Sequence, residues 1–236
     1  MTFRTFSLGL LGTFSLPWLL IVVVPYATMQ RIQPVEFNED DDGRTGPYVP
    51  ARPGRVTDGA AVYAANGCYT CHTQLIRPTY AGTDMWREDW AGVHVAADNI
   101  DTRRETSVFD FNGESFAQIG LTRIGPDLSN VGRRVESYIK GTDTTPEEWF
   151  LMHLYNPRGD FEYWSSCPSN GHLFKVHKKT GQGSGEALAV KARKGREVLP
   201  TADARALASY LYSLQKDDQV PYSLNYSPDK KRAIEQ

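Results

Sequence analysis

Cys68-Tyr69-Thr70-Cys71-His72 places two thiols two residues apart, with an imidazole directly after the second. C-x-x-C-H is the spacing of c-type haem attachment. In that chemistry two thiols add to the two vinyl groups of a porphyrin, and the adjoining histidine meets the iron on its proximal face. The same atoms have other uses. A thioredoxin-like dithiol needs a strand–helix–strand surround, which the flanking sequence lacks. A structural zinc site would take Cys68, Cys71, Cys167 and His172 as a Cys3His set. That set leaves His72 unused and has no need of flanking helices.

The haem reading calls for a second segment that orients His72, because a ligating histidine usually donates its other ring N–H to a carbonyl. "RIGPDLSNVGRR", residues 123–134, is suited to this. Pro126 offers a carbonyl on backbone of fixed φ and has no N–H of its own. Leu128 is placed to cover a haem edge. Arg123 or Arg133 can pair with a propionate, since guanidinium binds carboxylates in bidentate fashion. Each arginine is equally readable as an ordinary exposed charge.

These residues need elements to hold them. "TDGAAVYAANGC" predicts a short helix capped by Thr57 or Asp58, with Gly59 and Tyr63 on one face. The glycine permits close approach by another helix. "TADARALASYLYSL", residues 201–214, is the expected partner; Thr201 caps it and Leu207, Leu211 and Leu214 form one apolar stripe. A third helix starts at Thr145 with Pro146 in the first turn and Glu148 completing a capping box, and ends near Asn156 before Pro157. Met152 and His153 read as packing residues of that helix. Long loops lie between, one of them after Pro78. Loops of that length usually have a ligand to pack on or another functional reason. The fold class expected is all-α: a few helices wrapped around a ligand.

The chain begins differently. From Phe6 to Ala27 there is no charged residue. As a helix this stretch spans about 33 Å, enough to cross a bilayer core. It is longer than a signal-peptide core and no small-x-small cleavage site follows, so it reads as a retained anchor kinked at Pro17. Arg4 precedes the span and Arg31 and Arg44 follow it, so charge alone does not orient it. The organisation expected is an anchor over residues 1–30, a linker over 31–55 with a solvated "NEDDDG" tip, a domain over 56–216 and a tail over 217–236. A net charge of −2 makes no electrostatic case for nucleic acid. Three cysteines cannot build a disulfide framework, which leaves Cys167 as an odd thiol. The run containing Lys175, Lys178, Lys179, Lys191, Arg193, Lys194 and Arg196 reads as a solvated hairpin or loop, or as a docking face for an acidic partner or lipid headgroups. Phe161, Tyr163 and Trp164 read as an aromatic wall of the haem pocket, or as a local cluster.

"NGCYTCHTQLIRP", "RIGPDLSNVGRR", "WFLMHLYNPR", a C-P-x4-L-F segment and "RALASYLYSL" together resemble the membrane-anchored mono-haem cytochrome c subunit (subunit II) of cbb-type haem–copper oxidases. The resemblance covers the anchor and residues 56–214. It implies a class I cytochrome c-like domain with one covalent haem c, on a single-pass protein of the bacterial cytoplasmic membrane. The N-terminus would be cytoplasmic and the haem domain periplasmic. It implies a non-catalytic electron-transfer subunit that takes electrons from another c-type cytochrome and hands them to the catalytic haem–copper subunit. The family places an axial methionine before the proline of the C-P-x4-L-F segment; here Cys167 stands there. Cys167 is therefore a candidate sixth ligand, with His172 and Met85 as alternatives, or the position is open. A haem-based sensor and the small subunit of a nitric oxide reductase share much of this plan and remain alternatives, with a zinc-structured binding domain more remote.

Overall fold

In a computed structural model, residues 2–31, 52–98, 100–159, 164–190, 192–218 and 220 are described. Most of the expected linker and tail, together with Phe161, Tyr163 and Lys191, lie outside the described residues. The chain divides into two units, Met1–Pro47 and Tyr48–Gln236.

The first unit is one continuous apolar helical run, Phe3–Met29, of 27 residues. At 1.5 Å per residue it is about 40 Å long, which is enough to cross a membrane. It fits a membrane anchor. None of its residues is buried. It consists of α1 (Phe3–Trp18), a π-helical turn (Leu19–Val23) and α2 (Val24–Met29). The expected disturbance at Pro17 is displaced: α1 runs through Pro17, and the register change follows it. Pro25 supplies a reason. A proline ring crowds the carbonyl four residues back, and an i→i+5 turn ending just before it opens that space. The Val24 N–H accordingly reaches back to Leu19 O.

The second unit is built on three helices that meet at α6 (Ala202–Ser213). α3 (Gly54–Ala65) lies against it so closely that a Cβ on Gly59 would come within 2.0 Å of the Ala206 carbonyl oxygen. Val56, Gly59 and Tyr63 form the buried face of α3, and Tyr63 meets Tyr210 with ring centroids 5.4 Å apart. Thr57 and Asp58 do not cap this helix. It starts a turn earlier, behind Pro53, whose carbonyl accepts from the N–H groups of Val56 and Thr57. α6 is capped by Thr201, and Leu207, Leu211 and Leu214 are all buried. α5 (Pro146–Tyr155) has both arms of its capping box, Thr145 with Glu148, a feature that typically stabilises a helix by about 1 kcal/mol. Asn156 ends it, and Pro157 forbids continuation.

A further helix, α4 (Val131–Tyr138), follows the "GPDLSN" stretch and buries Val131 and Val135. The domain is predominantly helical but not purely so. β1 (His94–Val95) pairs with β2 (Ile100–Asp101), and β3 (Phe174–Lys178) with β4 (Arg196–Pro200), both antiparallel. In the second pair Phe174 and Val198 face the core while Lys175 and Lys178 face solvent. The basic run is thus in part a hairpin, which buries Phe174 and Val198 and leaves most of its remaining side chains towards solvent.

Candidate functional site

α3 ends at Asn66, and Gly67, at φ +65, turns the chain into a tight 3-10 turn over Cys68–Thr70. The N–H groups of Cys71 and His72 both bond to the Cys68 carbonyl. One turn thus carries both thiols and delivers the imidazole next to them. Burial pushes the Cys68 thiol up to about 11, with the nearby Cys167 and then Cys71 adding to the shift.

The His72 ring is held from the far side of the chain. Its Nδ1 lies 2.8 Å from the Pro126 carbonyl oxygen. A carbonyl only accepts, so Nδ1 carries the proton and Nε2 the lone pair. Burial lowers the pKa of His72 and keeps the ring neutral; the Pro126 bond works against that shift. Residues 119–128 run beside the motif. Leu121 N–H bonds to Tyr69 O, Gly125 N–H to Cys71 O, Leu128 N–H to Thr73 O, and Gln74 N–H to Ile119 O. Gly125 is pressed on the imidazole: a Cβ there would sit 2.2 Å from His72 Cε1. Gly120 is left-handed at φ +90, and a Cβ would meet the His72 carbonyl oxygen at 2.1 Å.

An ionic frame absent from the sequence reading backs this contact. Asp127 is fully buried and accepts from Thr73 Oγ1 at 2.6 Å, and from the N–H groups of Leu75 and Ser129. Asp84 is also fully buried; it accepts from Arg77 and from Arg123 at 2.8 Å. Burial alone would raise the Asp84 pKa. The bonds from Arg77 and Arg123 outweigh it and hold the carboxyl well below the usual range. The remaining Arg123 nitrogens donate to Thr73 Oγ1 and Leu75 O. Arg133 pairs with Asp217 at 3.2 Å and with Glu136 at 3.7 Å. Both arginines thus have protein acceptors. Leu128 packs in the main core cluster.

The Cys167 segment comes to the same turn from α5. Asn170 N–H bonds to Leu154 O, Ser169 Oγ donates to Tyr155 O, and Arg158 Nε donates to Ser165 O at 2.6 Å. Cys167 N–H bonds to Ser165 Oγ at 3.2 Å. Burial, and then Cys71, raises the Cys167 thiol pKa. His172 is exposed and its Nε2 lies 2.6 Å from Asn66 Oδ1, so it ties its segment to the end of α3. Met85 is half-buried on the 3-10 turn Asp84–Trp86, beside the ionic frame. Trp164 is exposed. Among the described residues no group of three or more His, Cys, Asp or Glu is arranged to hold a metal ion; the Cys3His zinc set is not assembled.

The donor set and its surroundings fit a haem. A neutral imidazole presents Nε2, two thiols share its turn, and Leu121 and Ile124 expose apolar side chains on the irregular segment alongside, at 72% and 68%. His153 is half-buried on α5 and stacked flat on Trp149, the packing role read for it in the sequence. Burial lowers its pKa to about 4, and His72 adds to the shift.

Comparison with known proteins agrees with these features. The family model described as cytochrome c oxidase, mono-heme subunit/FixO matches residues 12–196, from inside the apolar helix to the start of β4. No curated protein sequence matched the chain. The match takes in most of the chain, including the C-x-x-C-H turn, the segment that carries Pro126, α5 and Cys167, and the chain belongs to the mono-haem subunit/FixO family of cytochrome c oxidases.

Proposed function

We propose that this protein is the electron-relay subunit of a cbb-type respiratory oxidase. It carries one haem c bound covalently through Cys68 and Cys71, with His72 as proximal ligand and Cys167 as distal ligand. The observation that carries the reading is the 2.8 Å contact between His72 Nδ1 and Pro126 O, directly beside the two thiols. That contact selects the tautomer whose Nε2 lone pair points away from Pro126, the form an iron ligand needs.

The bound haem supplies one-electron redox chemistry. The chain's residues do the rest. Cys68 and Cys71 fix the ring in place, and the Gly125 backbone stops the imidazole from rotating. Asp127 and the Asp84–Arg123 pair hold the two backbone segments in register. Cys167 would be the second protein ligand of the iron. A thiolate pushes electron density towards iron and gives a lower potential than methionine would. As a ligand the thiol would have to give up its proton, against the burial that raises its pKa. Phe3–Met29 would hold the domain at the membrane with Arg4 on the cytoplasmic side and the haem domain in the periplasm. An edge of the ring would face a c-type cytochrome donor, and electrons would pass on to the catalytic haem–copper subunit. A class I cytochrome c-like arrangement suits the close crossing of α3 and α6.

Haem staining after denaturing electrophoresis tests the attachment. The Cys68→Ala/Cys71→Ala double variant is expected to lose the stain; retention of it would end the proposal. Cys167→Met is expected to raise the midpoint potential and give the spectrum of a His/Met haem. Cys167→Ser is expected to admit carbon monoxide. If both variants keep the parent spectrum and potential, Cys167 is not the ligand. Gentle solubilisation should copurify a haem–copper subunit; recovery with a nitric oxide reductase instead would replace the oxidase assignment.

A further inference from the structure

The basic hairpin takes no part in the site described above. β3 buries Phe174 and leaves its other four residues exposed, and β4 buries only Val198. Lys175 and Lys178 on β3, Arg196 on β4, and Lys179, Arg193 and Lys194 just beyond the strand ends all face solvent. The pairing continues past the strands, with Lys179 N–H bonded to Gly195 O at 2.9 Å. Six cations thus gather on one short two-stranded element. None of the six has an ion-pair partner among the described residues. The carboxylates nearby have other bonds: Glu186 pairs with Arg205 at 3.2 Å, and Glu197 accepts from Ser184 N–H at 2.8 Å. Lys178 also stands directly opposite Arg196 in the strand register. Like charges so placed repel and weaken a strand pair. An anionic surface laid against the hairpin would offset that repulsion.

The composition of the hairpin says what kind of surface that is. Protein interfaces are rich in aromatic residues, methionine and arginine, and poor in lysine. Here four of the six cations are lysines, and Val176 is the only large apolar side chain that the two strands expose. Lysine is a flexible point charge without the bidentate fork of arginine. That suits a fluid layer of phosphates better than carboxylates fixed on a protein. Clusters of about four to eight Lys and Arg beside a membrane are the pattern that anionic headgroups attract. The same chain carries Phe3–Met29, a helix long and apolar enough to cross a membrane. Held to a bilayer by that helix, the domain would meet headgroups at high local concentration, so even a weak attraction would count.

We propose that the β3–β4 hairpin docks on anionic phospholipid headgroups, its lysines and arginines meeting the phosphates of the bilayer that holds the chain. The attraction is electrostatic, so it depends on lipid charge and is screened by salt. Each basic residue close to an anionic bilayer strengthens it about fivefold. Contact of this kind would restrict how the domain turns above the bilayer.

The test uses the full-length, haem-loaded protein in lipid nanodiscs. One set holds phosphatidylcholine alone; the other adds phosphatidylglycerol. Acetylation of each lysine by a water-soluble reagent is followed by mass spectrometry, with exposed Lys140 on the far side of α4 from the hairpin strands in sequence as the internal standard. Labelling of Lys175, Lys178, Lys179 and Lys194 should slow several-fold in the phosphatidylglycerol discs, and high salt should restore it. Lys140 should react alike in both sets. Arg196→Glu places opposite charges across the strand pair, so it keeps the hairpin folded while lowering its positive charge. In that variant the protection should drop by about fivefold or more. If Arg196→Glu fails to load haem, Arg193→Glu takes its place under the same criteria. Equal labelling in the two sets overturns the proposal, as does protection that survives high salt or the charge reversal. Protection seen only when the intact oxidase complex sits in phosphatidylcholine would assign the hairpin to an acidic protein partner, and the lipid proposal would fall.

Discussion

The two sides of the C-x-x-C-H turn are held in different ways. On the His72 side the support is backbone against backbone. Residues 119–128 exchange main-chain hydrogen bonds with residues 69–74, two glycines admit contacts too close for any side chain, and buried Asp127 and Asp84 close the rear. On the Cys167 side the support is a loop tied at a few points, to the end of α5 through Ser169 and Asn170 and to Arg158 through Ser165. The first arrangement fixes atoms whatever the nearby side chains are. The second fixes a path and leaves the residue on it to decide the chemistry.

The sharpest way to break that comparison is Gly125→Ala. The added Cβ would overlap the His72 ring, and main-chain bonding at Gly125 N–H leaves little room to retreat. Haem loading should collapse, as read by staining and visible absorption. A variant that loads normally would show that the proximal side is as yielding as the distal one.

Asp84→Asn probes the rear of the proximal side. It leaves Arg77 and Arg123 facing a neutral group at a fully buried position. Removing one partner of a buried ion pair costs up to about 3–5 kcal/mol, and the partial exposure of both arginines places this one near about 2–3 kcal/mol. Thermal or denaturant unfolding measures it. The carboxyl is depressed in the fold, so its contribution is complete above the unfolded value near about 4 and is lost as pH falls below that. The gap between parent and variant should therefore close in acid. A gap that widens there would refute the assignment of the charge.

The smallest effect is expected on the distal side. Ser165→Ala removes the acceptor for Cys167 N–H, a hydrogen bond worth about 1 kcal/mol. Haem should remain bound, with a modest change in the absorption attributed to the sixth ligand. Loss of haem comparable to that of Gly125→Ala would erase the contrast between the two sides.

Local sequence determined a good part of this. The spacing of Cys68, Cys71 and His72 states its chemistry because attachment needs those atoms on one turn. Thr145, Pro146 and Glu148 mark the start of α5 because a helix end has unpaired N–H groups that only such residues satisfy. Gly59 opposite the small and apolar face of α6 foretold the contact of the two helices, and Pro126 was the natural carbonyl for His72. The tertiary structure alone decided the rest. Arg77, Asp84, Arg123 and Asp127 carry no mark that they belong together, since charge pairing has no period and the chain between them is irregular. α3 begins at Pro53 rather than at the better caps Thr57 and Asp58 because its first turn packs, with Val56 buried. His172 turned to Asn66, although in sequence it was a candidate ligand, while His153 packs on Trp149 as its place on the helix suggested. Which way an imidazole faces depends on what the fold brings to its two nitrogens, and those partners lie on segments that only folding brings together.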